Sequence, residues 1–464
     1  MKRDGGLRRR VAQATSDERV VKAVHLATWR KVDARVESLA RLRHAEALRQ
    51  RAAAIRDHAL ENLPRYLEQF AERATANGAR VHFASDGDAA CRIILEIARQ
   101  RGLKLAVKGK SMTSEEVHLN DALMAAGVQV VETDLGEFIV QIDADRPSHI
   151  ITPIIHKDRR TVAQAMAREL GCAYTEDPTE MTRIARQHLR DIFRRCDLGI
   201  TGVNFAIAET GTLCLLTNEG NGRMSTTRPR VHVALLGIEK VIPRMRDLPV
   251  FLKLVSRSST GQPMGVYTTL ITGPRRPADV DGPEELHIVF LDNRRSDILT
   301  GPAPEVLRCV RCGACLNACP AYRNVGGHAY NSVYPGPIGS LLSPLLYGPR
   351  YDGLPRVSSL CGACAIACPV LIDIPDLLVR LRSLSRARQP WLKRVAMAGW
   401  AWAMRRAWVY RLGQRLMGEF LPDDGEGWVT QGGGPLREWT RARDLRRPPR
   451  QSFRQRWEEA FGDE

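Results

Sequence analysis

Seven of the eleven cysteines in this 464-residue chain fall between Cys309 and Cys368. The first four run Cys309-x2-Cys312-x2-Cys315-x3-Cys319, with Pro320 next. A structural zinc site uses two well-separated ligand pairs, which four thiols in one short run fit poorly. The spacing is that of the bacterial-ferredoxin run, which holds a cubane iron–sulfur cluster and lends its fourth cysteine to a neighbouring cluster. Gly313 lets the backbone pass close to inorganic sulfide and donate N–H bonds, and Pro320 turns the chain away after the last ligand. The chemistry implied is electron transfer.

A second copy lies downstream. Cys312-Gly313-Ala314-Cys315-Leu316-Asn317-Ala318-Cys319-Pro320 is echoed by Cys361-Gly362-Ala363-Cys364-Ala365-Ile366-Ala367-Cys368-Pro369, an internal repeat C-G-A-C-x-x-A-C-P. The copy is one cysteine short, because Ser358 stands where Cys309 stands in the first. Crossed ligation assigns Cys309, Cys312, Cys315 and Cys368 to a first 4Fe-4S cluster, and Cys319, Cys361 and Cys364 to a second. With three thiolates, the second is completed by an outside ligand, a serine oxygen or water, or it is a three-iron centre. Cys91, Cys172, Cys196 and Cys214 sit among apolar neighbours and read as buried small hydrophobes.

A second stretch with chemical potential is Gly199-Ile200-Thr201-Gly202-Val203-Asn204-Phe205-Ala206-Ile207-Ala208-Glu209-Thr210-Gly211-Thr212. Its glycines permit close approach of an anion, and a glycine-rich turn between strands is the plainer account. Asn204, Glu209, Thr210, Gly211 and Thr212 are the candidate pocket residues. Glu209 is either an acid/base group or a capping or salt-bridging carboxylate. Lys108 and Lys110 could neutralise an anion, though surface lysines are the plainer reading. No G-x-G-x-x-G follows the first strand and no P-loop occurs, so neither bound NAD nor ATP is expected.

The elements that position these residues follow from periodicity. Residues 1–78 read as helical, a region by themselves. Strands at Arg80–Ala84, Leu103–Val107 and Val128–Glu132 alternate with helices at 87–101 and Ser114–Ala126, which means parallel βαβ units. The pattern continues through a strand at His149–Pro153, two helices up to Arg195, and strands at 198–208, 212–217, 231–238, 267–272 and 287–291. An α/β domain over 79–298 results. Thr300-Gly301-Pro302-Ala303-Pro304 then opens an α-helical ferredoxin-type domain over 299–385, with cluster motifs in 300–330 and 351–380. A Gly/Pro-rich stretch, Tyr334–Tyr351, separates the two copies. A basic helical segment and polar tail fill 386–464.

Composition bounds the setting. Hydrophobic residues make up 44%, which fits a soluble globular chain. There is no run of 18 uncharged apolar residues and no signal-peptide core, so the cytoplasm is the expected location. The net charge of +17 is spread along the chain without aromatic interleaving or zinc-finger histidines, so nucleic acid is not the expected partner and an acidic protein is. Trp391 to Trp408 mixes tryptophan and arginine on a helix. It could touch a membrane surface, but its apolar residues form no single stripe, and packing against the cluster domain or a partner is favoured.

Three regions together resemble a known family. Thr201–Thr212, Lys110-Ser111-Met112-Thr113-Ser114-Glu115-Glu116 and Val131-Glu132-Thr133-Asp134-Leu135-Gly136-Glu137 look like a LUD (lactate utilization) domain. Pro147-Ser148-His149-Ile150, the two cysteine motifs, Tyr334-Pro335-Gly336-Pro337-Ile338-Gly339 and Pro435–Thr440 extend the likeness over nearly the whole chain. The family it resembles is lactate utilization protein B, iron–sulfur proteins of a bacterial system that oxidises L-lactate to pyruvate and supports growth on lactate. The resemblance implies a ribose-5-phosphate isomerase/CoA-transferase-like fold, mainly parallel in its sheet, for the α/β domain. It also implies two partners, a cysteine-rich CCG-domain subunit and a second, smaller LUD-domain subunit. The chain would be an electron-transfer subunit rather than the catalyst, with no catalytic residue of its own. The rival readings are an iron–sulfur subunit of another complex, handling glycolate or a disulfide, and a CoA-transferase-like enzyme with structural clusters.

Overall fold

A computed structural model describes residues 5–388, 391–421, 424–440, 443–449 and 451–462. They form two compact units, 1–383 and 384–464.

The first unit is organised by a six-stranded sheet. Its strands are β1 (Arg80–Ala84), β2 (Leu105–Lys108), β3 (Gln129–Glu132), β4 (Leu198–Thr201), β7 (Val231–Gly237) and β10 (Glu285–Leu291), in the spatial order β1-β10-β7-β4-β2-β3. Every pairing is parallel, with Ile288 opposite both Val81 and Ala234. A parallel sheet is covered on both faces, so its central strands must be apolar throughout. β7 shows this: Val231, Val233 and Leu235 join Ile94 and Leu123 on one side, while Ala234 and Leu236 join Leu63 and Phe70 on the other.

The other four strands, β5 (Phe205–Ile207), β6 (Thr212–Thr217), β8 (Val241–Ile242) and β9 (Tyr267–Ile271), form a second, mixed sheet in the order β8-β5-β6-β9. The single strand expected over 198–208 is therefore two. The chain leaves the first sheet at Thr201 and enters the second at Phe205, and the Asn204 amide N–H is taken by the Cys214 carbonyl at 3.0 Å. The helix expected over Ser114–Ala126 is likewise split, because His118 adopts a left-handed backbone with φ 54°.

One further expectation fails for an identifiable reason. His149–Pro153 is not a strand. The Nδ1 atom of His149 accepts the N–H groups of Ile151 and Thr152 at 3.0 and 3.1 Å, which curls the backbone into a bend. The stretch between the cysteine copies contains a helix, Gly336–Tyr347, that is buried along most of its length.

The N-terminal helices Glu18–Ala40 and Ala45–Glu61 share one core with the cysteine-bearing region, through Val24, Ala52 and Ile55. Arg56 secures this packing although it is 1% exposed. Its guanidinium donates to the carbonyls of Val241 (3.1 Å), Leu307 (2.8 Å), Arg308 (3.3 Å) and Glu239. One side chain from the N-terminal region thus joins the α/β domain to the entrance of the first cysteine run.

The second unit contains helices Trp391–Met404, Ala407–Phe420 and Phe453–Phe461, and a two-stranded ladder pairing Trp428–Val429 with Leu445–Arg446. Trp391, Trp400 and Trp408 are exposed. Among the described residues no helix is long and apolar enough to cross a membrane.

Replacing Arg56 by Met keeps the bulk and removes the donors, leaving buried carbonyls unpaired. The substitution is expected to lower the stability of the unit by about 3 kcal/mol. A denaturant melt checks this, and an unchanged midpoint would refute the role assigned to the side chain.

Candidate iron–sulfur site

Both copies of the repeat form the same local backbone. Arg311 and Leu360, each just before a C-G-A-C run, have φ of 58° and 57°, and Gly313 and Gly362 follow at 75° and 83°. Left-handed geometry is costly for arginine and leucine, by roughly 1–2 kcal/mol each. Its presence twice marks a loop held open for its sulfurs. Short helices Ala314–Ala318 and Ala363–Ala367 leave these loops and pack on one another.

That packing sorts the thiols into two groups. Cys309, Cys312, Cys315 and Cys368 lie in electrostatic range of one another and line one small cavity with Val310, Ile338 and Ile372. Cys319, Cys361 and Cys364 form the other group. Backbone N–H groups point at the sulfurs: Arg311 at Cys309 (3.4 Å), Ile372 at Cys368 (3.4 Å) and Tyr322 at Cys319 (3.5 Å). The Ile338 amide, in the first turn of the buried helix Gly336–Tyr347, serves Cys315.

Burial pushes the thiols of Cys312 and Cys364 up to about 12 and that of Cys368 to about 11. They are neutral until metal charge displaces the proton, so loading must release protons. Cys361 is exposed and shifts the other way, held down by the Ala363 amide and the Ser359 hydroxyl. Thiols grouped in this way, the first set about a mainly apolar cavity, and supplied with amide donors fit iron–sulfur cofactors.

Ser358 takes the local position of Cys309. Its Oγ accepts the N–H of Leu360 at 3.1 Å, as the Cys309 Sγ accepts that of Arg311. The residue that breaks the cysteine pattern therefore keeps its turn.

Surrounding segments clamp the loops. His149 is buried, and burial holds its pKa well below the usual value, so the ring is neutral. With Nδ1 accepting two amides, Nε2 carries the proton and donates to Asn317 Oδ1 at 3.1 Å on the first motif helix. The Tyr322 hydroxyl donates to the Ser148 carbonyl at 2.6 Å. Arg49 donates to the Cys368 carbonyl at 2.8 Å, and Arg35 to that of Ala367 at 3.1 Å, capping the end of the second motif helix. Glu116 accepts Arg295 at two points, both 2.8 Å, and the Tyr334 hydroxyl at 2.5 Å. Burial would raise that carboxyl, but Arg295 outweighs it and leaves the group below its ordinary range.

The other candidate residues separate. Asn204 lines a large cavity beside the first thiol group. Glu209, Thr210, Gly211 and Thr212 do not; the first three lie in the β5–β6 turn and Thr212 begins β6. Glu209 accepts the Met245 N–H at 2.8 Å, the Thr210 carbonyl accepts from Asn77 at 3.0 Å, and Thr212 bonds Thr272 at 3.2 Å. Gly211, at φ 66°, lies so close to the helix Leu63–Ala76 that a Cβ would meet the Ala74 nitrogen at 2.4 Å. Glu209 is thus a capping carboxylate.

The lysines are not surface groups. Lys108 is fully buried, bonded to Glu132 at 2.8 Å and Ser114 at 3.0 Å, and Lys110 donates to the Ile151 carbonyl at 2.7 Å. Cys196 and Cys214 are buried as expected, whereas Cys91 and Cys172 are partly exposed. Arg56, Lys240 and Arg311, all beside the first thiol group, were not singled out from the sequence. Arg311, between two ligand-type cysteines, carried the one usable signal.

Comparison with known proteins agrees with this organisation. Residues 67–291 match the LUD domain, 305–372 a 4Fe-4S dicluster domain and 380–460 the lactate utilisation protein B C-terminal region. The chain is 43% identical over 454 residues to an uncharacterized electron transport protein, YkgF, of Escherichia coli K12, covering 96% of this chain and 94% of that one. It is 42% identical over 455 residues to lactate utilization protein B of Bacillus cytotoxicus, covering 97% and 96%. It is 44% identical over 419 residues to the protein of that name from Geobacillus kaustophilus, covering 89% and 88%. With its LUD domain, its iron–sulfur dicluster region and this likeness along nearly its whole length, the chain belongs to the lactate utilization protein B family.

Proposed function

We propose that this protein is the iron–sulfur electron-transfer subunit of a cytoplasmic system that oxidises L-lactate to pyruvate. The observation that carries the reading is the sorting of seven thiols into a group of four and a group of three, each drawing on both copies of the repeat. Relatives named lactate utilization protein B support the substrate. Iron–sulfur clusters supply one-electron transfer when bound.

Cys309, Cys312, Cys315 and Cys368 would hold a first 4Fe-4S cluster, and Cys319, Cys361 and Cys364 a second. The chain's own contribution is to supply the sulfurs, aim amides at them and exclude water. The packing of helices Ala314–Ala318 and Ala363–Ala367 keeps the two groups adjacent. Oxidation of L-lactate releases two electrons and two protons. A CCG-domain subunit and a smaller LUD-domain subunit would share that work and pass the electrons on. The CoA-transferase alternative needs Glu209 in a pocket, and Glu209 instead caps the Met245 amide.

Anaerobic co-purification with the partners, followed by addition of L-lactate, tests the function. The visible absorption of the clusters is expected to bleach with L-lactate and not with glycolate. Bleaching by glycolate alone would overturn the substrate assignment.

Crossed ligation makes its own prediction. Anaerobically purified protein should hold about seven to eight irons per chain. Cys368→Ser should perturb the EPR signal that Cys312→Ser perturbs. A Cys368→Ser spectrum matching that of Cys361→Ser would show that each run serves its own cluster.

The three-thiol group should be the labile one, since an iron without a protein thiolate is more easily lost on oxidation. Air should convert one cubane to a three-iron form while the other survives. Ser358→Cys should slow that loss, because the side chain already occupies the position of Cys309 in the repeat. Equal decay of both clusters, unaffected by Ser358→Cys, would count against the open corner.

A further inference from the structure

A cavity of about 240 Å³ opens beside the first thiol group, and Cys312 and Arg311 are part of its wall. Much of the rest comes from the carboxyl ends of adjacent parallel strands, with β6 and the helix Leu248–Thr260 completing the wall. Lys110 follows β2, Asp134 follows β3, Thr201–Asn204 ends β4, and Glu239 and Lys240 follow β7. The chain leaves β2 toward β3 on one side and leaves β4 toward β7 on the other. Where connections diverge in this way a crevice forms outside the strand ends, the usual place for a ligand in an open α/β sheet. We propose that this cavity binds a small carboxylate of the 2-hydroxy or 2-oxo acid class, with the Lys240 ammonium and the Arg311 guanidinium as its cationic anchors. The chemical class rests on the lactate reading above.

The donors in the cavity are only partly used. Lys240 is 7% exposed, and among the described residues no hydrogen-bond acceptor meets its ammonium. Arg311 stacks over Tyr334 at 4.7 Å and reaches Glu239 at 3.5 Å, while its Nη1 is buried with no acceptor. A buried charged donor without an acceptor is costly, and an anion removes that cost. Asn204 uses its Oδ1 on the Leu216 amide at 2.8 Å, which leaves its NH2 group for a ligand. Lys110 spends one N–H on Ile151 and has two more.

The carboxylates of the wall do not cancel these donors. Glu239 is held by Arg295 at 2.6 Å and faces four cations in all: Arg295, Arg311, Lys240 and Arg56. Asp134 caps its own helix through the amides of Gly136 and Glu137. Glu219 is exposed, where solvent screens its charge.

Ile150, Val203, Leu215, Val255 and Val310 supply apolar wall. A phosphate would need donors on every side. A short carboxylic acid needs cations at one end and an apolar surface at the other, which is what this cavity offers. Position matters as much as chemistry: a ligand here lies against the loop that carries Cys312.

The rival account is that Lys240 and Arg311 only offset the negative charge of a bound cluster. The test uses the full chain, purified anaerobically with its clusters. Calorimetry with pyruvate, L-lactate and inorganic phosphate measures binding, and EPR with and without pyruvate follows the clusters. Pyruvate or L-lactate should bind at one site and phosphate should not. Lys240→Met should weaken binding about tenfold or more, and Lys240→Arg should restore part of it. Pyruvate should alter the signal that Cys312→Ser perturbs, and this response should vanish in Lys240→Met.

The proposal falls if neither acid binds, if phosphate binds as tightly, or if Lys240→Met binds normally. It also falls if Lys240→Met changes the signal while the unmodified protein ignores pyruvate, since charge compensation alone then explains the lysine. If Lys240→Met does not fold, Lys110→Met must weaken binding instead. Growth of a deletion strain separates the two readings. A chain needed for growth on lactate that binds neither acid overturns this site alone. A chain that binds them but is dispensable for that growth overturns the lactate function alone.

Discussion

Four backbone carbonyls converge on the guanidinium of Arg56, and the rest of the molecule is arranged around that convergence. The carbonyls come from the turn after β7, from β8 and from the approach to Cys309. Each would be costly to bury unpaired. A buried cation with several acceptors satisfies them together. It also fixes where the first cysteine loop lies relative to the ends of the parallel strands. The N-terminal helices are therefore part of the housing of the cysteines.

The same solution recurs around the thiols. Arg35 and Arg49 take the last carbonyls of the second motif helix, and Arg295 and Tyr334 meet on Glu116. His149, kept neutral by burial, ties a bend of the α/β domain to Asn317. Cationic side chains thus hold loops in place while facing the region where a negatively charged cofactor would sit. Structure and electrostatics are served by the same residues, which accounts for part of the chain's large positive charge.

The α/β domain and the cysteine region meet at the carboxyl ends of β2, β3, β4 and β7, the face on which open parallel sheets present ligands. Closing that face with a cysteine loop converts a surface crevice into a cavity with one wall next to a redox centre. Neither region alone has this feature. The break between β4 and β5, which sends the chain from one sheet to the other, brings Asn204 to the cavity while Glu209 goes to the far end of a hairpin.

How much was legible beforehand follows from the range of the interactions involved. The cysteine spacing, the repeat and the missing cysteine at Ser358 are local patterns, and cluster ligation is a local constraint, so sequence alone pointed to an iron–sulfur cofactor and to the cysteines proposed to hold it. Strand and helix periodicity determined the parallel sheet, because burial on both faces leaves its mark residue by residue. The bend at His149 was not legible, since it depends on a side chain capturing its own backbone instead of a ladder. Nor was the burial of Lys240 or the role of Arg56: a charged residue carries no sign of burial until distant chain is brought around it, and for Arg56 the partners lie up to 252 positions away. The Thr201–Thr212 motif was visible as one unit, but its two ends do different things. Only the tertiary structure decided which end faces a cavity, because only there do two sheets and a cysteine loop meet.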